Sequence, residues 1–353
     1  MGSKIDALFS SLTDAASPGA AVLVRKDGRA ILEQGYGIRD LRTLGKIDSQ
    51  TNFRLASCSK QFTAMAVMLL VHNGTLRYED KLTDVFPDFP PYGKTITIRN
   101  LLNHTSGLQD YEDLMDQSPR SRWSERRQIQ DAEVLNLLKQ QSATKFSPGT
   151  KWAYSNSGYV VLGLVVAQVS GQPLAQFLHE RIFGPLQMNH TVAYQRGQNE
   201  ISNRAYGHTQ QGTAWKETDQ SSTSATLGDG GIYSSLDDLA KWDQALGHHA
   251  LLGETEMQPA LTPVPLADGS QPQWPAGSDR PEGTPVSYGF GWFVDPYQGR
   301  ARMWHYGETV GFHTYIQRFL EDQLTIIVLC NRTDLHPEQL AARVADLYLA
   351  RRR

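Results

Sequence analysis

Residues 55–74 read LASCSKQFTAMAVMLLVHNG. Two serines, a cysteine and a lysine crowd the start of an almost wholly apolar run. Such a run predicts a helix buried on all sides, with three potential nucleophiles and a cation at its mouth. Residues three apart on a helix share a face, so Ser57 and Lys60 meet. Cys58 and Ser59 are turned away, at about 100° per residue. A lysine desolvated there is lowered in pKa and becomes a base for the Ser57 hydroxyl, and the helix N-terminus favours negative charge developing on Ser57. The same serine reads equally well as a helix cap. The spacing also recurs at Ser142 and Lys145, in the polar stretch QSATKFSPGT, which reads as surface.

The rest of the chain sets the frame. Its 353 residues suggest about two domains, and 40% hydrophobic with 20% charged content is that of a soluble globular protein. A net charge of −3 gives no electrostatic reason to expect nucleic acid or an anionic membrane. Cys58 and Cys330 form neither a disulfide framework nor a zinc spacing. No apolar run approaches the roughly 20 residues of a membrane span. The N-terminus predicts an amphipathic helix with Ile5, Leu8, Phe9 and Leu12 on one face, not a secretion signal. As the sequence stands the expected compartment is cytoplasmic; a leader removed ahead of Met1 would make it periplasmic or secreted.

Both ends of the chain predict sheet. GAAVLVRKDGRAILEQGYG (19–37) is a hairpin around Asp27-Gly28, and RMWHYGE, GFHTYIQRF and QLTIIVLCN near the other end are three more strands. The chain closes on an amphipathic helix carrying Leu340, Val344 and Leu347. Short adjacent strands favour antiparallel pairing. From Lys60 to about Gln220 helical patterns dominate, including 131–142 and 158–180, and 254–284 reads as an irregular Pro/Gly-rich loop. The expected architecture is α/β (α+β): residues 1–58 and 225–353 form a mainly antiparallel sheet domain flanked by helices. Residues 59–224 form an inserted, mostly helical domain, with the site in the cleft between them.

Two further motifs accompany Ser57 and Lys60. Tyr154-Ser155-Asn156 lies in a polar turn before an apolar helix. A phenol beside an ammonium is expected to be lowered in pKa, so Tyr154 is a candidate proton relay, and Asn156 is a candidate partner for the lysine. Ser155 or Asn156 is equally a candidate N-cap. His305-Tyr306-Gly307 lies in a strand, where Gly307 would admit a substrate close to the backbone. His72, fifteen residues along the helix from Ser57, lies roughly 22 Å away and cannot join it.

In this order, with FRLASCSKQFTA, LLNHTSGL, FSPGTKWAYSNSGYVVLG, GDGGIYSSLDDLAKW, YGFGW and HYGETVGF, the chain resembles the serine β-lactamase and penicillin-binding-protein superfamily, specifically its class C-like branch. The resemblance covers nearly the whole chain. It implies a covalent acyl-enzyme on Ser57, Lys60 and Tyr154 as acid and base, Asn156 as an orienting group and His305 lining the pocket. It also implies an oxyanion hole from the backbone N–H groups of Ser57 and Glu308, and a substrate pocket with Tyr306, Gly307 and Tyr111. No cofactor or metal is implied.

His305-Tyr306-Gly307 departs from the Lys-Thr-Gly of true β-lactamases. A histidine of ordinary pKa is mostly neutral at pH 7, so it offers a substrate carboxylate little charge. The expected function is therefore an esterase or D-amino-acid peptidase-type hydrolase acting on a small ester, amide or lactam. A true β-lactamase or DD-carboxypeptidase is the alternative, and a non-catalytic binding or assembly protein of the same fold is the rival of another class. Metal-assisted hydrolysis by His104, His190, His208 and His305 lacks a ligand spacing, and His104 reads better as structural support in NHTSGL.

Overall fold

In the computed structural model residues 2–12, 16–117, 122–278 and 280–349 are described. The sheet at their centre is antiparallel throughout and joins the two ends of the chain. Its strands are β1 (Ala20–Lys26), β2 (Arg29–Tyr36), β3 (Phe293–Tyr297), β4 (Arg300–Thr309), β5 (Phe312–Phe319) and β6 (Leu324–Cys330), in the order β3-β4-β5-β6-β1-β2. The predicted hairpin forms at Asp27-Gly28, where both residues take positive φ. The edge strand β3 was not expected. Its sequence, FVDPY, lacks alternation and contains Pro296, which an edge position tolerates.

Both faces of the sheet are covered at its centre, so β1 and β6 read as apolar runs, while the edge strand β2 is mostly exposed. On β1, Val22 and Val24 pack towards one side with Tyr315, Ile326 and Val328, against α1 (Gly2–Leu8) and the C-terminal helix α5 (Pro337–Tyr348). Ile5, Phe9 and Leu12 are buried there as expected, and Phe9 stacks on Tyr36. Ala21 and Leu23 face the other way, with Ile316, Ile327 and Leu329, into a larger core. Helix α2 (Lys60–His72) runs through that core and is buried along nearly its whole length, polar residues included. It packs on α3 (Asn156–Ser170), while α4 (Leu236–Gly247) lies against β1.

Three local expectations are corrected. The helix expected over 158–180 is broken: Gly171 takes a left-handed φ of 72° as its C-cap, Pro173 follows, and a separate short helix runs Leu174–Leu178. The stretch before Gln220 carries strands Val192–Ala193, His208–Gln211 and Ala214–Glu217. The loop expected over 254–284 opens with a helix, Glu254–Leu261, whose first turn is closed by Glu256 accepting from the Gly253 N–H at 2.7 Å. No single helix among the described residues is long and apolar enough to cross a membrane.

Candidate active site

The approach to Ser57 is fixed by two neighbours. Leu55 donates its N–H to the Ile232 carbonyl (2.8 Å), and its own carbonyl accepts from Thr314 Oγ1 on β5 (2.8 Å). Ala56 then adopts a left-handed φ of 48°, which costs an alanine about 1–2 kcal/mol. The strain turns the chain sharply into a 3₁₀ turn, Ala56–Ser59, before α2 begins at Lys60. Side chains three apart eclipse in a 3₁₀ turn, so Ser57 and Lys60 lie side by side: Lys60 Nζ donates to Ser57 Oγ at 2.9 Å.

The other two nucleophiles have structural duties. Ser59 is buried and its Oγ accepts the Ile232 N–H at 3.2 Å. Cys58 is buried, its thiol donates to the His305 carbonyl, and burial pushes its pKa up to about 12. Only Ser57 of the three is partly open to solvent. The cap reading of Ser57 fails, since α2 starts without a side-chain cap.

Lys60 is fully buried. Its three donors go to Ser57 Oγ, Asn156 Oδ1 (2.8 Å) and the Asp229 carbonyl (3.0 Å). Burial lowers its pKa to about 8, against the opposing pull of the Asp229 charge. Asn156 is free for this contact because Ser155 caps α3, accepting from the Gly158 N–H at 3.0 Å. The Tyr154-Ser155-Asn156 turn is held by His104, whose Nδ1 accepts the Ser155 N–H at 3.1 Å.

The expected lowering of the Tyr154 pKa is corrected. Lys60 Nζ lies over the ring, 4.8 Å from its centroid, and the hydroxyl is buried with no hydrogen-bond partner among the described residues. Burial raises its pKa well above the ordinary value, and the neighbouring Ser57 hydroxyl opposes this only in part. Tyr154 is therefore a neutral phenol, and of the two groups beside Ser57 only Lys60 is shifted towards neutral pH.

His305 is fully buried and its pKa is pushed down to about 3, first by burial and then by the Lys60 charge. Its Nδ1 must donate, because it faces the Tyr306 carbonyl at 2.6 Å; Nε2 then accepts from Tyr288 Oη at 3.0 Å. It is a neutral ring and not a cation. The close approach at Gly307 is also corrected: a Cβ there would lie 2.1 Å from the Leu55 carbonyl oxygen and 3.2 Å from Ala56 Cβ. The glycine admits the chain's own strained turn against β4. The Glu308 carboxylate points away from the strand's inner face, 68% exposed and 3.4 Å from His313 Nε2 on β5. Tyr306 is partly exposed beside it. Tyr111, expected to line the pocket, is buried, and its hydroxyl donates to Asp229 Oδ2 at 3.3 Å.

A family model described as Beta-lactamase matches residues 5–350. The chain belongs to the Beta-lactamase family. It is 30% identical over 357 residues to Penicillin-binding protein 4* of Bacillus subtilis, covering 97% of this chain and 74% of that protein. It is 27% identical to D-aminopeptidase of Brucella ovis, covering 89% of this chain but only 56% of that protein's length. Among solved structures, the penicillin binding protein from Bacillus halodurans superposes with a TM-score of 0.77 at 25% identity, covering 97% of this chain and 99% of that one.

Ser57, Lys60, Tyr154 and Asn156 thus converge, with Gly307 behind the Ser57 turn. His104, His190 and His208 do not join them as a ligand set: they bond Ser155, Ser202 and Asn331 respectively. No group of three His, Cys, Asp or Glu side chains among the described residues is placed to hold a metal ion. Sequence reasoning gave Asp229 and Tyr288 no role, whereas His104 supports the site as expected, through its bond to Ser155. Asp229 lies between glycines in the GDGG turn (228–231), where a lone acid is the one available signal. Tyr288 entered only as the first residue of YGFGW, with no role attached to it.

Proposed function

We propose that the protein is a serine acyl-transfer hydrolase of small esters and amides, forming its acyl-enzyme on Ser57. The observation that carries this reading is the buried Lys60 nitrogen, 2.9 Å from Ser57 Oγ and held near a pKa of 8. Roughly a tenth of such a lysine is neutral at pH 7. In that form it takes the Ser57 proton as Oγ bonds to the substrate carbonyl carbon. Tyr154, neutral and beside Ser57, is suited to give its proton to the departing alcohol or amine and to take one back from the Lys60 ammonium, which returns Lys60 to the neutral amine. Water then attacks the acyl carbon as it loses a proton to neutral Lys60, and the acid leaves as the Ser57 oxygen takes that proton from Lys60.

The oxyanion would be met by the N–H groups of Ser57 and Glu308. The two-residue turn Val310-Gly311 makes Thr309 and Phe312 a bonded pair, and bonded pairs alternate along antiparallel strands. The Glu308 N–H is therefore directed off the other edge of β4, beyond Trp304, where pairing with β3 ends. One such donor contributes roughly 3 kcal/mol to the transition state. The sheet segments 1–58 and 225–353 and the helical segment 59–224 would act as two domains with this site in their cleft.

Substrate preference follows from charge. His305 is a neutral ring where a carboxylate clamp would need a cation. Asp110, Glu112 and Asp229 instead gather around Lys60: loss of solvation, with Asp110 and Asp229 adding like charge, pushes the accessible but closely hemmed Glu112 up to about 7. This favours substrates bearing an ammonium, in line with the D-aminopeptidase likeness. The test is a panel of a p-nitrophenyl acyl ester, a D-alanyl anilide, its N-acetyl derivative and a chromogenic cephalosporin. The ester and the free-amine anilide should exceed the cephalosporin in kcat/KM, and N-acetylation should lower the rate. A clear preference for the cephalosporin would overturn the charge argument.

A further inference from the structure

A second cavity, of about 390 Å³, lies between the C-terminal end of α4, the helix Glu254–Leu261 and the turn joining β5 to β6. Two guanidiniums on its floor share one carboxylate. Arg25 (5% exposed) and Arg318 (8% exposed) pair with the two oxygens of Asp243, at 2.8 and 2.6 Å. Asp243 also accepts from Thr325 Oγ1 at 2.7 Å. Their remaining bonds go to the carbonyls of Ala240, Gly28 and Asp243 and to the Met303 sulfur, none of which neutralises charge. Among the described residues neither arginine has another ion pair, and the buried Arg25 Nε has no hydrogen-bond partner. The Glu33 carboxylate on β2 also feels the Arg25 charge, but it is exposed and screened by solvent. On the buried floor itself two cations share one anion, an excess that is costly unless an anion completes it.

The wall above this floor is lined in part by His248, His249 and three glutamines; its other side is apolar, formed by Leu246, Met257, Leu261, Met303 and Phe319. Leu320 continues it to the lip, where it is 41% exposed. Glu254 lies on the exposed rim, where solvent screens it. We propose that this cavity is a binding site for a small amphipathic carboxylate, its head on Arg25 and Arg318 and its chain along the apolar wall. The volume falls in the range of small-molecule pockets. The site is distinct from Ser57. Arg318 lies four residues beyond Thr314 on the same face of β5, so its floor is roughly 13 Å along the strand from the turn that carries the serine.

The test is isothermal titration of the full chain with octanoate, and with 1-octanol as the uncharged probe. Gly247 offers a way to fill the cavity without replacing either arginine: a Cβ there would stand in ordinary contact, 3.8 Å from Arg318 Nη2. Octanoate should bind saturably at one site, and 1-octanol at least about tenfold more weakly, as expected for an ion pair worth about 1.4 kcal/mol. Gly247→Phe should weaken octanoate by a similar factor while its melting temperature stays close to wild type, and Arg25→Met should abolish the preference for octanoate over octanol. Absence of saturable octanoate binding, equal affinity for octanol, or affinity unchanged in Gly247→Phe would each overturn the proposal. The octanol and Gly247→Phe comparisons decide the matter even if Arg25→Met does not fold.

Discussion

Replacing Tyr154 by phenylalanine should make the protein more stable and much less active. The ring stays, so its packing on Phe293 and under Lys60 is kept and no cavity opens. What is lost is one hydroxyl, buried and without a hydrogen-bond partner among the described residues. Burying an unsatisfied polar group costs about 1–3 kcal/mol, so its removal should return about 1 kcal/mol or more. In a chain of this length that is a rise in melting temperature of ~1–3 °C. If the same hydroxyl passes the proton to the leaving group, kcat/KM should fall by about 10²–10⁴-fold. Urea unfolding and ester hydrolysis on one preparation read both effects. A destabilisation beyond about 1 kcal/mol would mean that the hydroxyl is bonded in solution. A rate within about threefold of wild type would remove Tyr154 from the proton path.

The pH dependence should follow Lys60. Its folded pKa of about 8 lies below the ordinary 10.5, so kcat/KM should rise about tenfold per pH unit up to 8 and then level; a profile flat from about pH 5 to 9 would contradict this, unless product release limits turnover. Because the fold favours the neutral amine, stability should be lowest below pH 8 and rise by about 3 kcal/mol as pH passes from the folded to the unfolded value, read from urea midpoints. Gly307→Ala should destabilise by about 1–3 kcal/mol and impair turnover, because its Cβ meets the Leu55 carbonyl at 2.1 Å; wild-type stability would show that β4 does not press on the Ser57 turn. Cys58→Ala should keep most of its kcat/KM and lose at most a few kcal/mol by urea unfolding, as a buried packing residue.

What the sequence made legible depended on local chemistry. Asp27-Gly28 announces a hairpin because the turn needs positive φ, and the apolar run after Lys60 announces a buried helix because no solvent face is left. The Ser57–Lys60 pairing follows from spacing once that buried helix is placed behind it, a condition that Ser142 and Lys145 do not meet. What stayed hidden was set by tertiary packing. The direction of the Tyr154 pKa depends on how completely its hydroxyl is desolvated, which no neighbour in sequence reports. Gly307 reads as an opening for substrate until the Leu55–Ala56 turn is seen to fill it. Lys60's third partner is a backbone carbonyl, that of Asp229, and a carbonyl leaves no trace in side-chain identity. Strand β3 was obscured by Pro296, which is acceptable only because the strand lies at the edge.

The identity of the nucleophile is the point on which the account turns. Intact-mass spectrometry after treatment with a fluorophosphonate, followed by peptide mapping, tests it directly. A single adduct on Ser57 is expected, unaffected by a chelator and absent in Ser57→Ala. An adduct on Cys58 or Ser59, or no adduct on an active preparation, would contradict it.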